Sequence, residues 1–178
     1  MKPLHGHVVL VGLPGAGKST VGRVLADRLG CEFLDFDEEI TRRVGIPITE
    51  IFATKGEQYF RNLEAELTRE MADRPAAVVA PGGGWVVQPG LVELLKPPAM
   101  LVHLRVSPGT AVSRMGREVA ARPLVRGADP VGRVVTLWET RQQAYRSADF
   151  EVDADVLDAE GVASAILRLI DRSGASGS

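Results

Sequence analysis

Short apolar runs alternate along this chain with stretches in which apolar residues recur every three or four positions. The runs lie at 7–11, 32–35, 77–80, 100–105 and 149–152, and the valine-rich Val8-Val9-Leu10-Val11 opens the series. Continuous rather than alternating apolar runs predict strands buried on both faces, as in a parallel sheet. Helical spacing predicts helices near 18–29, 38–44, 48–54, 56–73, 88–95, 108–116, 130–147 and 158–171. In the 56–73 segment Phe60, Leu63, Leu67 and Met71 form one stripe, and in the last segment Val162, Ile166, Leu169 and Ile170 do the same. Strands alternating with helices predict an α/β fold with both faces of the sheet covered. A single domain is expected over residues 1–172, with a disordered tail over 173–178. The least periodic interior segment, about 116–129, carries three arginines, a proline and two glycines. Such a segment predicts a mobile, arginine-bearing lid.

The most specific chemistry follows the first strand. Gly12-Leu13-Pro14-Gly15-Ala16-Gly17-Lys18-Ser19-Thr20 is a G-x-x-x-x-G-K-[ST] loop between a predicted strand and a predicted helix. Glycines let the backbone turn so that successive N–H groups form an anion nest, and the helix N-terminus adds partial positive charge. Lys18 is placed to reach the β- and γ-phosphates and Ser19 to offer its hydroxyl oxygen to Mg²⁺. A nucleoside triphosphate, ATP or GTP, is expected to bind here.

The bulk numbers narrow the partners. At 178 residues with a net charge of −2, the chain lacks the basic excess of a nucleic-acid binder. No run approaches a membrane span, and the N-terminus has no apolar signal region. The single cysteine, Cys31, excludes an intrachain disulfide, fits a cytoplasmic location and is expected to be a small buried residue.

Three further groups gain meaning beside the phosphate loop. Asp35 and Asp37 close the second strand, where residues two apart point the same way. One carboxylate could serve Mg²⁺ and the other accept a proton, with helix capping by Asp37 as the plain alternative. Pro81-Gly82-Gly83-Gly84 follows the third strand, and three successive glycines suit a backbone that approaches a ligand closely. Arg61, Arg122 and Arg141 together suggest guanidinium groups for a carboxylate and phosphates.

These motifs, in this order, resemble the shikimate kinases. The resemblance rests on the phosphate loop, Asp35-Phe36-Asp37, Gly56-Glu57-Gln58-Tyr59-Phe60-Arg61-Asn62-Leu63-Glu64, Gly82-Gly83-Gly84, Arg122-Pro123-Leu124, and Arg141 with Tyr145. It covers about residues 7–171. It implies a P-loop NTPase three-layer sandwich with a five-stranded parallel sheet and a mobile lid. The implied reaction moves the γ-phosphoryl of ATP to the 3-hydroxyl of shikimate, with Mg²⁺, in aromatic amino-acid synthesis. By the same resemblance Asp37 binds the accepting hydroxyl and acts as base, and Asp35 lies near Mg²⁺. Arg61 and Arg141 grip the shikimate carboxylate, Gly82, Gly83 and Gly84 wall the pocket, and Arg122 closes over the phosphates. Arg114 falls near an adenine-stacking position. Shikimate and ATP are then the partners of a monomeric enzyme with no nucleic acid or membrane.

The chain departs from the pattern in places. Pro81 stands where the family commonly has Ser or Thr, and Gln142-Gln143-Ala144 precedes Tyr145. Trp85 follows the glycines and is expected to narrow the pocket. The rival readings are a kinase for another small hydroxy acid such as gluconate, a nucleoside monophosphate kinase, and a nucleotide-binding regulatory module without phosphoryl transfer.

Overall fold

The computed structural model describes residues 4–175. Five parallel strands, β1 (Val8–Val11), β2 (Phe33–Asp35), β3 (Val78–Ala80), β4 (Met100–Arg105) and β5 (Phe150–Asp153), form one sheet in the order β2-β3-β1-β4-β5. All four β1 side chains are buried, as a central strand covered on both faces requires.

Among the described residues eight α-helices flank the sheet: α1 (Lys18–Leu29), α2 (Phe36–Val44), α3 (Ile48–Lys55), α4 (Glu57–Ala72), α5 (Leu91–Leu95), α6 (Pro108–Met115), α7 (Pro130–Tyr145) and α8 (Ala159–Ala175). α1 packs on α8 and β3, and α4 packs on α2, α3 and α5. Gly22 lets α1 press against the Phe33 ring, where any Cβ would collide with it. The end of α4 is tied to β3 by His7. Its Nε2 lies 2.7 Å from the Met71 carbonyl, and its Nδ1 accepts the Ala77 N–H at 3.1 Å, so the proton sits on Nε2.

Several expected boundaries move. The helix expected over 88–95 shortens to α5, and a separate 3₁₀ turn over Trp85–Val87 stands before it. α2 begins at Phe36 because Asp35 caps it, accepting the N–H groups of Asp37 at 2.9 Å and Glu38 at 3.2 Å. Asp37 is therefore in the first turn of a helix, not on the strand, and it is not the cap. The lid segment contains a 3₁₀ helix over Gly116–Ala121. α8 runs on to Ala175, with the Ser173 hydroxyl donating to the Leu169 carbonyl, so the expected tail does not begin at 173. Residues 176–178 of that tail lie outside the described residues. Cys31 is half-buried at the edge of the core rather than enclosed in it. No helix among the described residues is long and apolar enough to cross a membrane.

Candidate active site

β1 delivers the phosphate loop to the carboxyl end of the sheet, where ligands bind in open α/β folds. Gly15 and Gly17 adopt φ of 82° and 88°, a region closed to most side chains, and Gly15 also lies too close to the Ala111 carbonyl to carry a Cβ. Lys18 Nζ donates to the carbonyls of Gly12 at 2.9 Å and Leu13 at 3.0 Å. Burial of the ammonium, then the Arg122 charge, lower its pKa to about 8, against the pull of Asp37 and Asp35. The Ser19 hydroxyl donates to Asp35. Hard oxygens from a serine and one carboxylate, beside a phosphate loop, match the few protein ligands that Mg²⁺ takes.

A cavity of about 520 Å³ runs along this loop, and Lys18, Ser19, Thr20, Asp35, Arg114 and Arg122 line it. Gly12 and Ala16, within the loop, are buried and do not line the cavity. Pro81 lines the same cavity, with no hydroxyl to contribute. A second, smaller cavity of about 80 Å³ lies beside it, bounded by Phe52, Phe60, Arg61, Gly84, Leu124 and Arg141 among others. Pro14, Asp37, Gly82, Gly83 and Arg122 belong to both cavities and form their common wall. Across that wall Arg122 Nη1 donates to Asp37 Oδ2 at 2.8 Å. Burial, helped by the nearby Asp35 charge, raises the Asp37 pKa, and Arg122 and Lys18 oppose the rise.

The triple glycine has a role beyond presenting bare backbone. Each missing Cβ makes room for a charged side chain. A Cβ on Gly84 would stand 2.5 Å from Arg61 Nη2, one on Gly83 would stand 2.9 Å from Arg141 Nη1, and one on Gly82 would overlap Glu64 Oε1. The Arg61 guanidinium thus lies over Gly84, and Arg141 brings its Nη1 against the adjacent Gly83. Arg61 is held by Glu64 Oε2 at 2.7 Å and Glu57 Oε1 at 2.9 Å. Arg141 is 5 % exposed, and its Nη1 has no hydrogen-bond partner, a buried donor aimed at the pocket wall without an acceptor.

Glu64 carried no role in the sequence reading. It lies fully buried among Phe60, Leu67 and Met71 on the inner face of α4, while Leu63 is only half-buried. Its Oε2 also accepts from Gln88 Nε2 at 2.6 Å. Burial, added to by the Asp37 charge, raises its pKa despite Arg61. A glutamate in register with an apolar stripe is the signal that could have found it. Trp85 does not narrow the pocket. It is fully buried and donates from Nε1 to the Thr68 hydroxyl at 2.8 Å, pointing into the core.

Against known proteins, the shikimate kinase family model matches residues 14–171. The chain belongs to the shikimate kinase family. It is 42% identical over 163 residues to a shikimate kinase of Moorella thermoacetica, covering 92% of this chain and 93% of that protein. A shikimate kinase of Burkholderia lata is 38% identical over 171 residues, covering 96% and 92%. Among solved structures, the shikimate kinase of Acinetobacter baumannii in complex with shikimate superposes with a TM-score of 0.89 at 37% identity, covering 94% of each chain. The five-stranded parallel sheet flanked by helices is the P-loop kinase architecture of this family. Pro81 and Gln142-Gln143-Ala144 are therefore variations inside a shikimate kinase.

Proposed function

We propose that this chain transfers the γ-phosphoryl group of ATP to the 3-hydroxyl of shikimate, with Asp37 and Arg122 at the junction of an ATP cavity and an acceptor cavity. The coarser statement, ATP-dependent phosphorylation of shikimate, follows from family membership. The observation that carries the finer reading is the common wall. Asp37 faces both cavities, and two arginines are seated on the glycines of the acceptor side.

ATP lies along the phosphate loop, with Lys18 and the loop N–H groups on its β- and γ-phosphates and Arg114 toward the base. Ser19 and Asp35 hold Mg²⁺, which neutralises phosphate charge when bound. The shikimate carboxylate takes the forks of Arg61 and Arg141 and satisfies the open donor on Arg141. Arg122 leaves Asp37 for the γ-phosphate as the lid settles. Asp37 is then free to accept the hydroxyl proton. The acceptor oxygen forms its bond to the γ-phosphorus, the bond to the bridging oxygen of ADP breaks, and Lys18 and Arg122 bear the charge on the migrating group. Lid residues around Leu124 exclude water, the competing acceptor. Most of the rate comes from positioning and charge rather than from the basicity of Asp37.

We place this activity in a cytoplasmic monomer; the single cysteine, which can form no intrachain disulfide, fits a reducing compartment. The test is ADP formation by purified protein with ATP and Mg²⁺, with and without shikimate, and with gluconate as control acceptor. ADP release that requires shikimate supports the assignment. Turnover with gluconate in its place, or ADP release that needs no acceptor, overturns it.

A further inference from the structure

β4 carries a histidine inside an apolar run: His103 is 2 % exposed, between Val102 and Leu104, both fully buried. Its two sides meet different partners. Toward β5, Nδ1 lies 3.0 Å from Oε2 of Glu151, its register partner across the sheet. Glu151 itself is on the surface, and its other oxygen takes Arg105 Nε at 3.2 Å. Toward α7, the imidazole lies flat on the Tyr145 ring, with centroids 4.5 Å apart and planes 9° apart. Trp138, two helical turns before Tyr145, closes the stack at 6.2 Å from His103 and 6.0 Å from Tyr145.

Tyr145 is one turn beyond Arg141 on α7, and both are buried. The Tyr145 hydroxyl has no hydrogen-bond partner of good geometry, yet it lies close enough to Arg141 to feel its charge. A continuous line of contact therefore runs from surface Glu151 through His103 and Tyr145 to Arg141 at the acceptor pocket. A buried imidazole is costly compared with an aliphatic side chain at the same place. A leucine would pack between Val102 and Leu104, but it would give Tyr145 no flat face and Glu151 no partner. Arg141 Nη1 makes no hydrogen bond, so that end of the guanidinium is kept on Gly83 by the packing around it, Tyr145 included. Ordering that side chain before the ligand arrives removes an entropic cost of binding.

We propose that His103 and Glu151 are positioning residues of the acceptor site: Glu151 fixes the His103 ring, His103 fixes the Tyr145 ring, and Tyr145 keeps Arg141 seated on Gly83. The proposal rests on the reading that Arg141 grips the acceptor carboxylate. The charged and titratable groups around His103 are Arg105 on β4, Glu151 and Asp153 on β5, Arg141 and Tyr145 on α7, and Lys18 at the start of α1. Burial, with Arg105 and Lys18, favours the neutral ring over the pull of Glu151, so Nδ1–H donates to the carboxylate near neutral pH.

The test is steady-state kinetics on His103→Leu, Glu151→Gln, Arg141→Lys and the His103→Leu/Arg141→Lys double variant, varying shikimate and ATP separately. His103→Leu is expected to raise the shikimate KM about tenfold, the size of a typical coupling between contacting residues, with ATP KM and kcat nearly unchanged. Glu151→Gln, a surface change that leaves the core intact, is expected to raise the shikimate KM by a smaller factor. The double variant is expected to be no worse than Arg141→Lys alone, because both changes act through one guanidinium. Parental shikimate KM in both His103→Leu and Glu151→Gln overturns the proposal, as does an equal rise in both KM values or strict additivity with Arg141→Lys. If Arg141→Lys itself leaves the shikimate KM unchanged, the reading of Arg141 as the carboxylate grip fails, and the platform has nothing to position.

Discussion

Arg122 Nη1 and Asp37 Oδ2 meet at 2.8 Å across 85 residues of chain, joining the lid to the first turn of α2. The contact pairs the group proposed to stabilise the migrating phosphate with the group proposed to receive the proton. In the absence of ATP each satisfies the other, so neither charge is left alone in a partly buried site. In the proposed reaction the γ-phosphate recruits Arg122 from this pair, which frees Asp37 for the acceptor.

Arg122→Ala should therefore cut kcat by about 10²–10³-fold, the usual loss for one electrostatic stabiliser. It should also move Asp37. With the Arg122 cation removed, only Lys18 still opposes burial and the Asp35 charge, and the carboxyl pKa rises further. Activity needs the ionised carboxylate, so it is lost as pH falls through that pKa, and the acid limb of kcat/KM should shift to higher pH in the variant. A pH–rate profile of both proteins checks the direction; an acid limb at the parental pH would separate Arg122 from Asp37.

Gly84→Ala isolates the seat of Arg61. The Gly84 backbone, at φ −93° and ψ −1°, is open to alanine, so the added methyl acts only by standing 2.5 Å from the guanidinium. The flexible arginine should yield, at a cost of about 1–3 kcal/mol in stability. The shikimate KM should rise while the ATP KM stays put. Thermal melting and the two KM values together distinguish a displaced arginine from a damaged fold.

The lowered pKa of Lys18, about 8, has a thermodynamic signature. In the free protein at pH 8.5 much of Lys18 is neutral, and bound phosphate favours its charged form. ATP binding should take up protons at pH 8.5 and almost none at pH 7, where the ammonium is already charged. Calorimetry in two buffers of different ionisation enthalpy measures this directly. Lys18→Arg, which stays charged, should show no uptake at either pH.

Asp35 caps α2, and in the proposed reaction it would also hold Mg²⁺ with Ser19. Asparagine caps a helix as well as aspartate, so Asp35→Asn should keep the melting temperature while raising the Mg²⁺ needed for half-maximal rate. Asp35→Ala should lose both, with about 1 kcal/mol of stability gone with the cap. Equal Mg²⁺ requirements in Asp35→Asn and the parent would remove Asp35 from the metal site.

Trp85→Phe tests the orientation of the bulky residue after the glycines. The side chain points into the core, so the shikimate KM should not change. Stability should fall by about 1 kcal/mol or more, because the Thr68 hydroxyl loses its donor. A lower KM would mean that the indole reaches the pocket after all.

Much of this protein was legible in the chain because its strongest signals are local. A four-residue apolar run, a glycine-rich turn and a helical repeat are specified by neighbours in sequence, and β1, the phosphate loop and α1 stand where their spacing puts them. The same holds for the five strands and for the helix stripe through Phe60, Leu67 and Met71. Motif order carried the family resemblance. By itself, then, the sequence determined the alternating architecture, the phosphate-binding loop and the set of arginines and carboxylates available for chemistry.

The tertiary structure decided what those residues touch. Whether Asp35 or Asp37 caps α2 depends on where β2 ends, and that is set by pairing with β3 at Ala80. The three glycines looked like a bare wall, but their lack of side chains is explained by Arg61, Arg141 and Glu64 arriving from α4 and α7. Trp85 turned inward because Thr68 offered its indole an acceptor. His103 gains partners only because β5 brings Glu151 beside it and α7 brings Tyr145 onto its face. In each case the deciding energy is the burial of a polar or bulky group, which depends on distant partners that spacing along the chain does not encode.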